Sequence, residues 1–173
     1  MDQALQSRVP GRKEAQDPAP MFDLIELFFF AYRDFVGDAD RLLEDIGFGR
    51  AHHRVLHFVN RQPGLMIAEL LDILGITKQS LNRVLKELLD TGYVEARPGV
   101  TDRRQRLLFP TAKGRRLAMD LSDLQSRRFE RALSELPKEA KVPAIDFLLA
   151  MIDPAQRDKV TSLVWSKPRE ETK

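Results

Sequence analysis

The chain has 173 residues, with 28 basic and 26 acidic side chains, a net charge of +2 and 43% hydrophobic content. That length supports one domain with a real core, or a small domain plus an oligomerisation element. The absence of cysteine excludes disulfides, thiolate metal ligands, cysteine nucleophiles and thiol redox sensing, and is compatible with a reducing cytoplasm. With so small a net charge, any basic surface must come from local clustering, and no apolar run approaches the length of a membrane span.

Residues 1–20 hold Pro10, Pro18 and Pro20 among charges, with no apolar core suited to a signal peptide. A disordered arm is expected there. Over Met21–Asp45 the apolar residues Phe22, Ile25, Phe29, Tyr32, Val36 and Leu43 recur at three- and four-residue steps, which predicts a long helix. Leu24, Leu27, Phe28 and Phe30 lie off that stripe, so its first half is apolar nearly all round and needs a second partner.

Gly47 and Gly49 precede a predicted helix over Arg50–Arg61, with Val55, Leu56 and Val59 inward, and Pro63-Gly64 marks a turn. A short helix over Ile67–Leu74 ends at Gly75, without an obvious N-cap oxygen around Met66. Thr77 is placed to cap the next helix, which runs to about Thr91 and is closed by Gly92. Its inner face is Leu81, Val84, Leu85 and Leu88; its outer face is Lys78, Gln79, Asn82, Arg83 and Lys86.

Strands are expected over Tyr93–Arg97 and Gln105–Phe109, flanking a basic tip. Between Arg97 and Arg106 stand four arginines (97, 103, 104, 106) against Asp102 alone. Pro110 lacks a backbone donor, so the ladder is expected to stop one residue before it. Thr111 caps a long helix over Ala112–Ser134, and further helices are expected over Pro137–Ile152 and Ala155–Trp165 before a fraying tail from residue 166.

The expected fold is therefore mainly α with a small β wing: a winged helix-turn-helix over 47–111, flanked by helical dimerisation regions at 21–46 and 112–165. A helix with donors and acceptors outward and an apolar rear suits the major groove. Arginines on a narrow projection suit the minor groove and its phosphates. This points to double-stranded DNA as the partner.

Asp102-Arg103-Arg104 followed by Phe109-Pro110-Thr111-Ala112-Lys113-Gly114 resembles the wing of the MarR family of transcription regulators, where Asp-x-Arg and a strand lead to Leu-Thr-x-x-Gly at the start of a helix. Leu88–Arg97 is similar to the family's end of recognition helix and first wing strand, although Ala96 stands where a charge is frequent. The similarity spans about residues 22–152.

The resemblance implies a cytoplasmic homodimer whose first, fifth and sixth helices interlock, placing two recognition helices about 34 Å apart on a pseudo-palindrome. It implies repression as the expected outcome. It also implies DNA contact by Lys78, Gln79, Ser80, Asn82, Arg83, Lys86, Arg97, Arg103 and Arg106, with Arg104 in the minor groove and Asp102 bracing it. Family members take small aromatic effectors between dimer base and winged lobe. Here Phe29, Tyr32, Arg33 and His53, with the phenylalanines of residues 28–30, are candidates for such a pocket, against the alternative of ordinary core or dimer interface.

His52, His53 and His57 raise a metal reading, because His53 and His57 stand four apart on one helix face. Two imidazoles without a carboxylate at ligand spacing fit polar packing better, so no metal is expected. No Gly-rich phosphate loop or nucleophile elbow is present, so neither cofactor nor enzyme activity is expected. The alternative is a winged-helix module that binds protein instead of DNA, but such modules usually lose the basic side chains retained here.

Overall fold

The computed structural model describes residues 19–99 and 102–166. The expected arm at 1–20 and the tail from 166 fall almost wholly outside those residues, as do Val100 and Thr101 of the hairpin tip. Helix α1 (Phe22–Glu44) leads to α2 (Arg50–Arg61), strand β1 (Leu65–Met66), α3 (Ile67–Leu74) and α4 (Lys78–Asp90). The hairpin β2 (Val94–Pro98) and β3 (Arg106–Pro110) follows, then α5 (Ala112–Ser134), a 3-10 turn at Lys138–Ala140, α6 (Lys141–Met151) and α7 (Pro154–Trp165).

The caps explain these boundaries. Thr77 Oγ1 accepts the Ser80 N–H at 3.2 Å, and Thr111 Oγ1 accepts that of Gly114 at 3.1 Å, satisfying donors that a helix start leaves unpaired. Helix α3 lacks such an oxygen at Met66; instead the Glu69 carboxylate reaches back to the Met66 N–H at 2.8 Å. Helix α4 ends in a Schellman arrangement, with Tyr93 N–H on Leu88 O and Gly92 N–H on Leu89 O. Gly92 sits there at φ 71°, a left-handed conformation that favours glycine.

Two features of the sheet differ from the sequence reading. Leu65–Met66, which the sequence assigns to no element, forms a short third strand opposite Leu108 and Leu107, so the order is β1-β3-β2 with β3 central. The ladder also runs through Pro110, which faces Val94. The reason is positional: Thr111 N–H bonds to Tyr93 O, which makes the next pair, Val94 and Pro110, a non-hydrogen-bonded one. The donor missing from Pro110 therefore points away from β2, to the side where β1 has already ended.

The core is formed by α2 with the inner faces of α4 and α5. Val55, Leu56, Val59, Leu81, Leu88, Leu108 and Leu121 are all fully buried. Helix α5 continues past this lobe to meet α1, where Arg128 binds Asp38 Oδ2 at 2.6 Å and the Phe35 and Phe129 rings lie 5.3 Å apart. Arg128, first by its hydrogen bond, holds the Asp38 carboxyl below its ordinary pKa, and Arg41 adds to the effect. The start of α1 is different: Phe22, Ile25, Leu27 and Phe29 are all at least 60% exposed. Phe147 and Met151 of α6 are also exposed. No described helix is long and apolar enough to cross a membrane.

Candidate nucleic-acid interface

The separation of faces on α4 is complete. Leu81, Val84, Leu85 and Leu88 are buried, while Lys78, Gln79, Ser80, Asn82, Arg83 and Lys86 are exposed. The cap defines the start of the helix twice over, because Thr77 Oγ1 also donates to Ser80 Oγ at 3.0 Å. Lys86 Nζ lies 2.6 Å from Asp90 one turn on, and that carboxylate raises its pKa.

The wing brings its arginines to the same side. A groove of about 380 Å³ between α3, α4 and the hairpin is lined by Met66, Ile67, Lys78, Arg104, Gln105 and Arg106 among others. One concave surface therefore carries cations from both the recognition helix and the wing. Asp102 braces Arg104 through the main chain: its Oδ1 accepts the Arg104 backbone N–H at 2.9 Å. Arg103 is exposed at the tip. Arg97 is held lower on the hairpin, with its Nε 2.9 Å from Glu95 and its guanidinium 4.2 Å from the Phe109 ring centre.

The base of the wing is joined to both neighbouring helices. Thr111 Oγ1 donates to Gly92 O at 2.7 Å while capping α5. Lys113 Nζ donates to Thr91 O at 3.1 Å and lies 4.0 Å from the centre of the Tyr93 ring. Gly114 meets the hairpin so closely that a Cβ there would fall 1.9 Å from Tyr93 O. This contact accounts for glycine at the fourth position of the Thr-x-x-Gly stretch.

A second concavity, of about 310 Å³, lies between α1, α2 and α5. Tyr32, Phe35 and Val36 supply its α1 wall, Arg50, His53, Arg54 and His57 its α2 wall, and Gln125 its α5 side. Of the four pocket candidates, Tyr32 and His53 line it. Phe29 stands a turn too early and is exposed, and Arg33 turns aside to Asp34 at 3.0 Å. Helical geometry explains the residues missed: Phe35 and Val36 follow Tyr32 at i+3 and i+4 on one face.

Burial lowers the pKa of both His53 and His57, and His57 is pushed down further by His53 and Arg61. His52 points elsewhere, towards Glu87 on α4. Among the described residues, no group of three or more His, Cys, Asp or Glu side chains is arranged to hold a metal ion.

Comparison with known proteins accords with this geometry. Residues 46–105 match the model of the MarR family. The chain is 49% identical over 133 residues to the HTH-type transcriptional regulator PetP of Rhodobacter capsulatus, covering 77% of this chain and 80% of that protein.

Among solved structures, FabT of Streptococcus pneumoniae in complex with DNA is similar with a TM-score of 0.67 at 16% identity, covering 76% of this chain and 93% of the other. The S. aureus MepR–DNA complex gives 0.62 at 18% identity, covering 73% and 94%. At such identities the structures speak for the fold alone. The match to PetP carries the assignment further: this chain belongs to the MarR family of winged helix-turn-helix regulators, DNA-binding proteins of transcription control and not enzymes.

Proposed function

We propose that two copies of this chain form a cytoplasmic homodimer that binds a pseudo-palindromic operator and represses transcription, under the control of a small aromatic effector. The observation that carries the reading is the groove lined by Lys78 of α4 with Arg104 and Arg106 of the wing. A duplex laid there meets cations from both elements on its phosphates while α4 occupies the major groove. Gln79, Asn82 and Arg83 then face base edges, Ser80, Lys86, Arg97, Arg103 and Arg106 supply or support contacts near the backbone, and Arg104 enters the minor groove.

Support for the dimer comes from the start of α1, whose phenylalanines find no cover within the described chain. An apolar surface of that extent on a soluble regulator suits a second copy. Support for effector control comes from the cavity between α1, α2 and α5, which has aromatic and apolar walls with several polar groups. An occupant that prefers one arrangement of the lobes shifts their population.

Selection of bound fragments from genomic DNA, with sedimentation of the purified protein, tests the reading. The expected result is an enriched inverted repeat and a two-chain particle. Failure to retain any fragment at low salt would favour the protein-interaction module, and a monomer would remove the two-fold operator.

A further inference from the structure

Helix α7 leaves α6 and returns to the winged lobe of its own chain. The joint between the two helices is fixed at both ends. Arg157 donates to Ala150 O and Ile152 O, each at 3.1 Å, which satisfies carbonyls at the end of α6. Asp153 Oδ1 accepts the Ala155 N–H at 2.8 Å and caps α7, with Pro154 at the first helical position.

From that joint α7 reaches α2 and α3. Lys159 Nζ lies 2.5 Å from the Asp72 carboxylate on α3. Gln62, a buried polar residue at the close of α2, donates to Ser166 Oγ at 3.0 Å, and Arg61 donates to Val164 O at 3.4 Å. Between these contacts Val160 and Leu163, both half-buried, face a cavity shared with Phe58 and Ile73.

The contact is specific but shallow. No residue of α7 is fully buried, and Leu163 borders two cavities, of about 290 and 330 Å³. An exposed ion pair adds little energy, so Lys159 and Asp72 set register while partly buried apolar area does the holding. The helix can therefore part from α2 and α3 without opening the core of the lobe.

Its placement bears on DNA reading. The dimer reading puts α6 at the two-fold base, whereas α3 leads through Gly75 straight into the recognition helix. A stiff joint at one end and a docked face at the other fix how far α4 stands from the two-fold axis. Each added base pair moves a half-site by about 3.4 Å and turns it by about 35°, so a lobe held at one distance fits one spacing.

We propose that α7 is a brace between the dimer base and the helix-turn-helix, and that its docking through Leu163, Lys159 and Ser166 selects the spacing between operator half-sites. A lobe released from α7 swings and accepts several spacings. This proposal rests on the reading of the protein as a dimeric DNA binder.

The test uses the full-length protein and duplexes carrying its selected half-sites, with the spacer lengthened or shortened by one and two base pairs, and an isolated half-site. Fluorescence anisotropy measures each affinity. The wild type is expected to prefer one spacing by about tenfold over its neighbours. Leu163→Asp, which puts a charge into the docked face, is expected to lose most of that preference while binding the isolated half-site as wild type does. The chain has no cysteine, and positions 72 and 159 are exposed, so Asp72→Cys with Lys159→Cys offers one pair for a short bis-maleimide. Cross-linking is expected to give a single-chain band on a denaturing gel, and to restore the spacing preference when Leu163→Asp is also present.

A wild type indifferent to spacing, a Leu163→Asp variant that keeps the full preference or loses half-site binding, a cross-link that joins two chains or fails to form, or a cross-linked triple variant that stays indifferent would each overturn the proposal. Failure of the wild type to bind a duplex of any spacing would instead overturn the DNA-binding reading beneath it.

Discussion

His52 Nε2 lies 2.8 Å from Glu87 Oε2 on the recognition helix, while His52 Nδ1 accepts the Gly49 N–H at 3.1 Å. Only an unprotonated Nδ1 can accept that bond, so Nε2 carries the hydrogen and donates it to Glu87. The ring is stacked on Phe48 at 4.4 Å, and Phe48 meets Tyr93 edge-on at 5.0 Å. The imidazole is thus fixed in tautomer and position, and it draws a carboxylate of α4 back towards α2.

Loss of this tether has two separable effects. His52→Ala is expected to lower stability by about 1–2 kcal/mol, the range for a hydrogen bond to a charged group that is part-exposed. It also frees Glu87 to repel nearby phosphates, so operator binding weakens. Adding Glu87→Gln is expected to recover part of the DNA affinity but none of the stability. Urea unfolding and fluorescence anisotropy on the same preparations read the two effects. Failure of the second substitution to restore any DNA binding would remove the repulsion argument.

Gly114→Ala is expected to be among the most damaging single-methyl changes in the chain. The added carbon falls 1.9 Å from Tyr93 O, and backbone on both sides leaves no flexible side chain to yield. A cost of about 3 kcal/mol, at the upper range for overpacking, should appear as a lower midpoint in thermal unfolding. A melting curve matching wild type would show that α5 can move away from the hairpin freely.

Arg104→Ala is expected to weaken operator binding by about 1–3 kcal/mol, with the loss concentrated in the base pairs under the wing. Lys86→Ala should instead weaken binding to all sequences and flatten the dependence on salt, the mark of a phosphate contact. The Asp90 partner 2.6 Å away is left with an uncompensated charge in that variant. Asp90→Asn is therefore expected to strengthen binding slightly. Anisotropy titrations over a salt series check all three, and a Lys86 effect confined to one operator would assign it to base reading.

The histidines of the cavity give a pH dependence whose sign is fixed. The folded protein holds His57 below its ordinary pKa of 6.5, first through burial and then through His53 and Arg61. As pH falls below 6.5 the unfolded chain takes up a proton that the folded chain resists, so stability declines until the folded pKa is reached. His57→Leu is expected to flatten that decline in urea unfolding midpoints. An unchanged slope would show that His57 does not contribute to it.

Much of this architecture is legible in the sequence because its boundaries are chemical. Thr77, Gly92 and Thr111 mark helix ends through hydroxyl caps and a left-handed glycine, and the apolar faces of α2 and α4 follow helical spacing without exception. Leu65–Met66 is harder to foresee, since two residues cannot display alternation and their pairing depends on β3, more than forty positions away. The Pro110 pairing depends on which carbonyl Thr111 reaches, a matter of register that residue type does not reveal.

The cavity is the least legible part. Arg54 is one charge in a basic helix, and its hydrogen-bond acceptor is a carbonyl twenty residues along the chain. Phe29 and Arg33 are of suitable chemistry but stand on the wrong part of α1.

The Thr111 hydroxyl bonds to Gly92 O while receiving the Gly114 N–H, and Lys113 reaches Thr91 O beside it. The exit of one helix, the foot of the hairpin and the start of another are thereby gathered into a single knot. A rotation of α5 would therefore carry the end of α4 and the foot of the hairpin with it, as a steering column turns both wheels.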